Sequence, residues 1–101
     1  MVRPFILRRV MREPGVTYFK PAGIPLRELK EVEVTVDEFE AFRLNDAEGL
    51  DQIVASKKMS VSQPTFHRLV SSAREKIAKA LVEGNAIRIK GGVYFYSNKK
   101  R

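Results

Sequence analysis

Between Phe66 and Leu81, apolar side chains return every three or four positions: Phe66, Leu69, Val70, Ala73, Ile77, Ala80 and Leu81. At 3.6 residues per turn this spacing keeps one face apolar for about five turns, which predicts a long amphipathic helix. Ser62 is placed as its N-cap, with Gln63 and Pro64 in the first turn, where proline's missing N–H costs little. Gly84 ends it, because glycine enters the left-handed conformation of a helix C-terminus without steric cost. A shorter helix precedes it, with Asp51 as N-cap and Ile53, Val54, Ala55 and Met59 on its buried side up to Lys58 or Met59. Ser60-Val61-Ser62 breaks the pattern between the two. Further upstream, Thr35 followed three residues later by Glu38 is a capping-box signature, and Asp37 and Glu38 stand where a helix dipole favours negative charge. Phe39, Ala41, Phe42, Leu44 and Ala47 then supply the stripe of a helix of about ten residues that ends near Asn45 to Gly49.

Outside these helices the pattern shortens. Arg3 to Met11 reads either as a strand or as a flexible basic arm led by Arg8 and Arg9. Pro14-Gly15, Pro21-Ala22-Gly23 and Pro25 punctuate a turn-rich stretch that leaves Tyr18 and Phe19 as core anchors. Leu26, Leu29 and Val32 are spaced for a helical turn, whereas Val32, Val34 and Val36 alternate with polar residues as in a half-buried strand; a short helix or turn running into a strand accommodates both. After Gly84, Ile87 and Ile89 alternate with Arg88 and Lys90, Gly91-Gly92 makes a two-residue turn, and Val93 to Tyr96 is rich in strand formers. This predicts a C-terminal β-hairpin with Ile87, Ile89, Tyr94 and Tyr96 on one face, followed by a frayed basic tail from Ser97 to Arg101. The expected fold is a mainly helical α+β domain: a helix-turn-helix three-helix core with N-terminal strand segments and a C-terminal β-hairpin. One domain spans 1–101, divided into a strand- and turn-rich extension (1–34), a helical core (35–84) and the hairpin with its tail (85–101). A chain of this length suits a single core.

Charge is segregated along the chain. The total is +7, yet residues 13–51 carry four basic against ten acidic side chains, whereas 52–101 carry eleven basic against two acidic. The basic half suits a polyanion such as nucleic acid, and the acidic segment is left to face solvent, a protein partner or the chain's own basic half. The absence of cysteine rules out disulfides, Cys-ligated zinc and thiol chemistry. No apolar run approaches the roughly 20 residues of a membrane helix. The patch at Phe5, Ile6 and Leu7 is too short for a signal-peptide core, so the expected location is cytoplasmic.

The two helices flanking Ser60 fit a helix-turn-helix. Small Ala55 and Ser56 fall where the helices approach, Met59 closes the first helix, Val61 plugs the turn, and Phe66 and Leu69 anchor the second. Ser60 stands at the usual glycine of the turn, where the left-handed region costs it something. With Phe66, Leu69 and Ala73 inward, the opposite face shows Gln63, Pro64, His67, Arg68 and Ser71, with Thr65 and Ser72 at its flanks. Gln pairs bidentately with adenine and Arg with guanine, which makes Arg68 the first choice for base reading. Ser62, Lys57, Lys58 and Arg74 suit phosphates.

The sequence also resembles a prokaryotic family of predicted DNA-binding proteins whose helix-turn-helix is similar to that of sigma-70 region four. The resemblance rests on the run from Tyr18 to Leu29, on Asp37-Glu38, Ala41 and Arg43-Leu44, on Glu48 to Gln52, and on Pro64-Thr65-Phe66 with Arg68. It continues through Ser72-Ala73-Arg74, Lys76, Ala80-Leu81 and Ile89 to Gly92. The chain departs from the family pattern at Leu7 and Met11, where many relatives carry cysteines, and at Ile53 and Val54, where relatives commonly carry charged residues. The second departure adds apolar surface suited to the N-terminal half or to a dimer interface.

Other features weigh less. The lone His67 cannot build a usual zinc site and is as easily plain surface as a DNA contact. Asp37, Glu38 and Glu40 could suggest paired catalytic carboxylates, but a helix N-terminus explains the first two, and no base or nucleophile accompanies them. Neither cofactor nor metal is expected, nor is enzymatic activity. Tyr94, Phe95 and Tyr96 could stack on bases, with packing the preferred role. The expectation is sequence-specific binding of double-stranded DNA and transcriptional regulation. A two-fold operator would call for a homodimer joined through the long helix, through Ile53 and Val54, or through the hairpin edge. Two rivals keep the fold: a sigma-like adaptor docking on transcription-machinery protein through acidic residues such as Glu38, Glu40 and Glu48, and an RNA binder using the basic hairpin.

Overall fold

The computed structural model describes residues 7–97; the expected basic tail after Ser97, and Phe5 and Ile6 in the opening segment, lie outside them. The three predicted helix starts are present with their caps. Helix α1 (Val36–Phe42) opens on the full capping box: Glu38 N donates to Thr35 Oγ1 at 3.3 Å and Thr35 N donates to Glu38 Oε1 at 3.0 Å. It passes into a π-type turn at Arg43–Ala47. Helix α2 (Gln52–Lys58) is capped by Asp51, whose Oδ1 accepts from Val54 N at 2.9 Å. Helix α3 (Gln63–Glu83) is capped by Ser62, whose Oγ accepts from Thr65 N at 3.2 Å, and ends on Gly84 at φ 71°.

Among the described residues, five short strands complete the α+β fold. Strands β2 (Tyr18–Phe19), β3 (Glu31–Val34) and β4 (Ala86–Ile89) form one sheet in the order β2-β4-β3, with β4 antiparallel to β2 and parallel to β3. A 3₁₀ turn at Leu26–Glu28 precedes β3, which satisfies the mixed pattern around Val32. Strand β1 (Arg8–Val10) pairs in parallel with β5 (Tyr94–Tyr96) as a separate ribbon.

The two C-terminal strands therefore exist where expected, but they do not form a hairpin with each other. Both edges of β4 are already taken by β2 and β3. Gly91 and Gly92, at φ 83° and 111°, carry the chain off that sheet. Gly91 O accepts from Val36 N at 2.9 Å, and Val93 N reaches Asp37 Oδ2 at 3.4 Å, so the diglycine docks on the start of α1. That steers β5 toward β1.

Helix α3 joins two clusters. Its C-terminal half, through Ala73 and Ala80, packs on Val10, Val34, Val36, Ile87 and Ile89, with Tyr94 and Tyr96 alongside. Its N-terminal half, through Phe66, Leu69 and Val70, packs on Ala41, Leu44, Ala55 and Met59. The acidic middle segment turns largely to the chain's own basic residues. Asp37 pairs with Arg8, Glu38 with Lys76, Glu40 and Glu48 with Arg43, Asp46 with Arg74, and Glu31 with Arg88. Asp37, Glu38 and Glu40 are buried, and burying a carboxylate is tolerated only when it is paired and hydrogen-bonded. Glu40 accepts from Arg43 Nε and Nη2 and from Met11 N, each at 2.9 Å.

Candidate nucleic-acid interface

The pair of helices α2 and α3 meets at its smallest residues. Ala55 is wholly buried and Ser56 nearly so, its hydroxyl turned back to Ile53 O at 3.0 Å, so neither holds the helices apart. Met59 closes α2 and is fully buried. Ser60 takes the left-handed conformation at φ 58°, the one non-glycine residue to do so among the described residues. Ser60 N donates to Lys57 O and Val61 N to Ser56 O, both at 3.1 Å, so the turn satisfies the end of α2 while reversing the chain. Val61 packs against the cluster beneath. Ser62 and Thr65 then close the start of α3, their hydroxyls 3.1 Å apart.

Burial of Phe66, Leu69, Val70 and Ala73 fixes which side of α3 faces out. Gln63, Pro64, His67, Arg68 and Ser71 are all exposed and form one stripe about 12 Å long at 1.5 Å per residue. The Arg68 guanidinium, the Gln63 amide and the ammonium groups of Lys57 and Lys58 have no hydrogen-bond or ion-pair partner among the described residues. His67 Nε2 stands 3.5 Å from Ser71 Oγ, at the limit of a hydrogen bond. Asp51 and Glu75 bound a stretch with no acidic residue between them. The stripe can therefore offer neutral donors and acceptors together with positive charge to a polyanion, without a built-in repulsive carboxylate.

Not every predicted contact residue belongs to this face. Ser72 is half-buried and donates to Glu38 Oε2 at 2.7 Å, because position 72 lies on the side of α3 that meets α1. Arg74 is bound by Asp46, with Nε–Oδ2 at 2.8 Å and Nη2–Oδ1 at 2.7 Å, and its Nη2 also donates to Asn45 Oδ1. The Arg74 hydrogen bond holds the Asp46 carboxyl below its usual range. Ser62 and Thr65 use their hydroxyls in the cap. The face thus comprises Gln63, Pro64, His67, Arg68 and Ser71, with Lys57 and Lys58 at the end of α2.

Ile53 and Val54, expected on the buried side of α2 and suited to the N-terminal half, are instead exposed. The N-terminal segment meets the helix pair elsewhere: Arg9 N donates to Met59 O at 2.8 Å. The basic character of the N-terminal segment was the signal, but its partner across the fold could not be read from composition.

The three acidic residues that could have suggested catalysis are occupied by the chain's own donors. Burial pushes the Glu38 carboxyl up, but hydrogen bonds from Lys76, Ser72 and Thr35 outweigh it and hold the group below its usual range. No cluster of three or more His, Cys, Asp or Glu that could hold a metal occurs among the described residues. None of the described helices is long and apolar enough to cross a membrane.

The family model described as "Protein of unknown function DUF134" matches residues 1–97. A UPF0251 protein of Moorella thermoacetica is 60% identical over 94 residues, 93% of this chain and 63% of the relative's own length. UPF0251 proteins of Caldanaerobacter subterraneus and Halothermothrix orenii are 58% and 55% identical, each over 93% of this chain and over 80% and 70% of their own lengths. The chain thus spans less than two thirds of the Moorella protein. No solved structure matches.

Proposed function

The chain belongs to the DUF134 family, and from the geometry of its helix pair we propose that it is a sequence-specific, double-stranded DNA-binding protein that acts in the cytoplasm as a transcriptional regulator. In this reading α2, the Ser60 turn and α3 form a helix-turn-helix of the sigma-70 region-four kind. The N-terminal half of α3 enters the major groove, which is wide enough to admit a helix. Arg68 reads guanine, Gln63 reads adenine, and Pro64, His67 and Ser71 add apolar and hydroxyl contacts; Lys57 and Lys58 hold phosphates. The protein performs no catalysis. A homodimer suits a two-fold operator, and exposed Ile53 and Val54 on α2, or Leu81 and Val82 at the end of α3, are apolar surface for the joint.

The observation that carries this reading is the split of α3 into a packed face that locks it to α2 and an outward stripe whose Gln63 and Arg68 have no partner among the described residues. The adaptor reading loses support from the burial of Glu38 and Glu40 and from the pairing of Glu48 with Arg43. The RNA reading loses the hairpin on which it relied, since β4 and β5 lie in different sheets. Amide-shift mapping by NMR with a short duplex tests the proposal. Shifts confined to Ser62 through Ser71 and the end of α2 are expected. Shifts centred on β4 and β5, or a response only to single-stranded RNA, would overturn it.

A further inference from the structure

The N-terminal strand takes no part in the interface above, yet its backbone is fixed beside it. On one edge of β1, Arg8 N donates to Val93 O at 3.3 Å, and Ser97 N donates to Val10 O at 3.1 Å. On the other edge Arg9 N donates to Met59 O, at the corner where α2 gives way to the Ser60 turn. Side chains alternate across a strand. Arg8 and Val10 take the inner side: Arg8 Nη1 bonds Asp37 Oδ2 at 2.9 Å, and Val10 is fully buried. Arg9 therefore points outward. Its guanidinium has no hydrogen-bond or ion-pair partner among the described residues. Its register partner Phe95 and its strand neighbour Leu7 share that outward face and are exposed.

A cation at the end of a helix complements the helix dipole. The end of α2 already carries Lys57 and Lys58, both without an acidic partner among the described residues. Arg9 is thus a third positive side chain at a corner that leads directly into the outward stripe of α3. We propose that Arg9, together with Lys57 and Lys58, forms a phosphodiester-binding patch, and that the β1–β5 ribbon is a second DNA-contacting element that sets the register of α3 in the groove. This rests on the DNA-binding reading of α3. The ligand class is the duplex backbone, so the patch contributes affinity without sequence preference.

The test is binding of the full chain to a short random-sequence duplex, followed by anisotropy across a salt series. The variants are Arg9→Gln, Arg9→Lys and, as a control cation outside the patch, Lys30→Gln. Each phosphate contact adds about 0.9 to the slope of log affinity against log salt. Arg9→Gln is expected to lower the slope by that amount, so that the wild-type advantage shrinks about 3.5-fold between about 50 and 200 mM salt. Arg9→Lys should keep most of the slope, and Lys30→Gln should match wild type. Matching circular-dichroism melts establish that the variants fold. Equal slopes for wild type and Arg9→Gln would overturn the patch while leaving the α3 reading in place. Failure of wild type to bind duplex at any salt would overturn the α3 reading, and the patch with it.

Discussion

Phe66 and His67 are neighbours in sequence and sit on different faces of α3, so truncating each to alanine separates what the helix packs from what it presents. Phe66 is fully buried among Ala41, Leu44, Ala55, Met59, Leu69 and Val70. Removing a buried phenylalanine costs about 3–5 kcal/mol, through lost transfer energy and the cavity left behind. For a domain of about 100 residues, 1 kcal/mol moves Tm by roughly 4–8 °C, so Phe66→Ala should lower Tm by at least about 12 °C. That is a large share of the roughly 5–15 kcal/mol by which such a domain is stable. His67 is exposed, with only a marginal contact to Ser71, and an exposed substitution of this kind stays within about 0.5 kcal/mol. His67→Ala should therefore shift Tm by less than about 4 °C. Thermal unfolding followed by circular dichroism reads both. Comparable losses from the two variants, or a cost below about 1 kcal/mol for Phe66→Ala, would refute the assignment of inward and outward faces on which the interface depends.

The same melting assay reads the strain at Ser60 and Gly92 and the paired carboxylates. Ser60→Gly should raise stability by up to about 1 kcal/mol, because the left-handed conformation costs a non-glycine residue roughly 1–2 kcal/mol, part of which glycine's extra unfolded-state entropy cancels; Ser60→Val should lower it. Gly92→Ala should cost about 3 kcal/mol, since at φ 111° a Cβ there would overlap Asp37 Oδ1 and crowd Thr35, displacing the buried carboxylate from Arg8. Acidification should destabilise the fold in a defined window. Hydrogen bonds from Arg88 and Tyr18 hold the Glu31 carboxyl down to about 2 from its ordinary 4.5, and Glu38 is lowered in the same direction. A depressed carboxylate stabilises the folded state above its unfolded value, so this contribution should be intact above about pH 4.5 and disappear toward about pH 2. Glu31→Gln should flatten part of that limb. At the alkaline end, burial and the adjacent Tyr94 push Tyr96 up to about 12, so its contribution should fade as pH rises from about 10 to 12.

The parts legible in the sequence are those written locally. A cap is a contact between residues three apart, so Thr35, Asp51 and Ser62 announced three helices, and 3.6-residue spacing announced the inward face of α3 as far as Ala80, while Leu81, expected on that face, is exposed. Ser60 could be picked out as a left-handed residue because the turn demands one. Strand pairing is non-local, and β1, β2 and β5 have at most three residues each, too few for an alternating pattern to name a partner. Gly91-Gly92 looked like a hairpin turn because its conformational freedom is visible in sequence; its docking against Asp37 and Val36 is not. Charge segregation left the destination of the acidic segment open between solvent, a protein partner and the chain's own basic residues, and only the fold brings Arg8 to Asp37 and Met11 N to Glu40. Ser72 and Arg74 looked available because their partners, Glu38 and Asp46, lie more than 25 positions upstream. The outward stripe from Gln63 to Ser71 was legible because it is the complement of a strong apolar face.

The most direct test of the central claim is selection from a random duplex library at near-physiological salt, run in parallel with wild type and Arg68→Ala. The account predicts that wild type recovers a defined motif and that Arg68→Ala relaxes it at the positions that Arg68 reads, with a loss of about 1–3 kcal/mol of discrimination there. Recovery of no motif by the wild-type protein, or of an unchanged motif by Arg68→Ala, would contradict it.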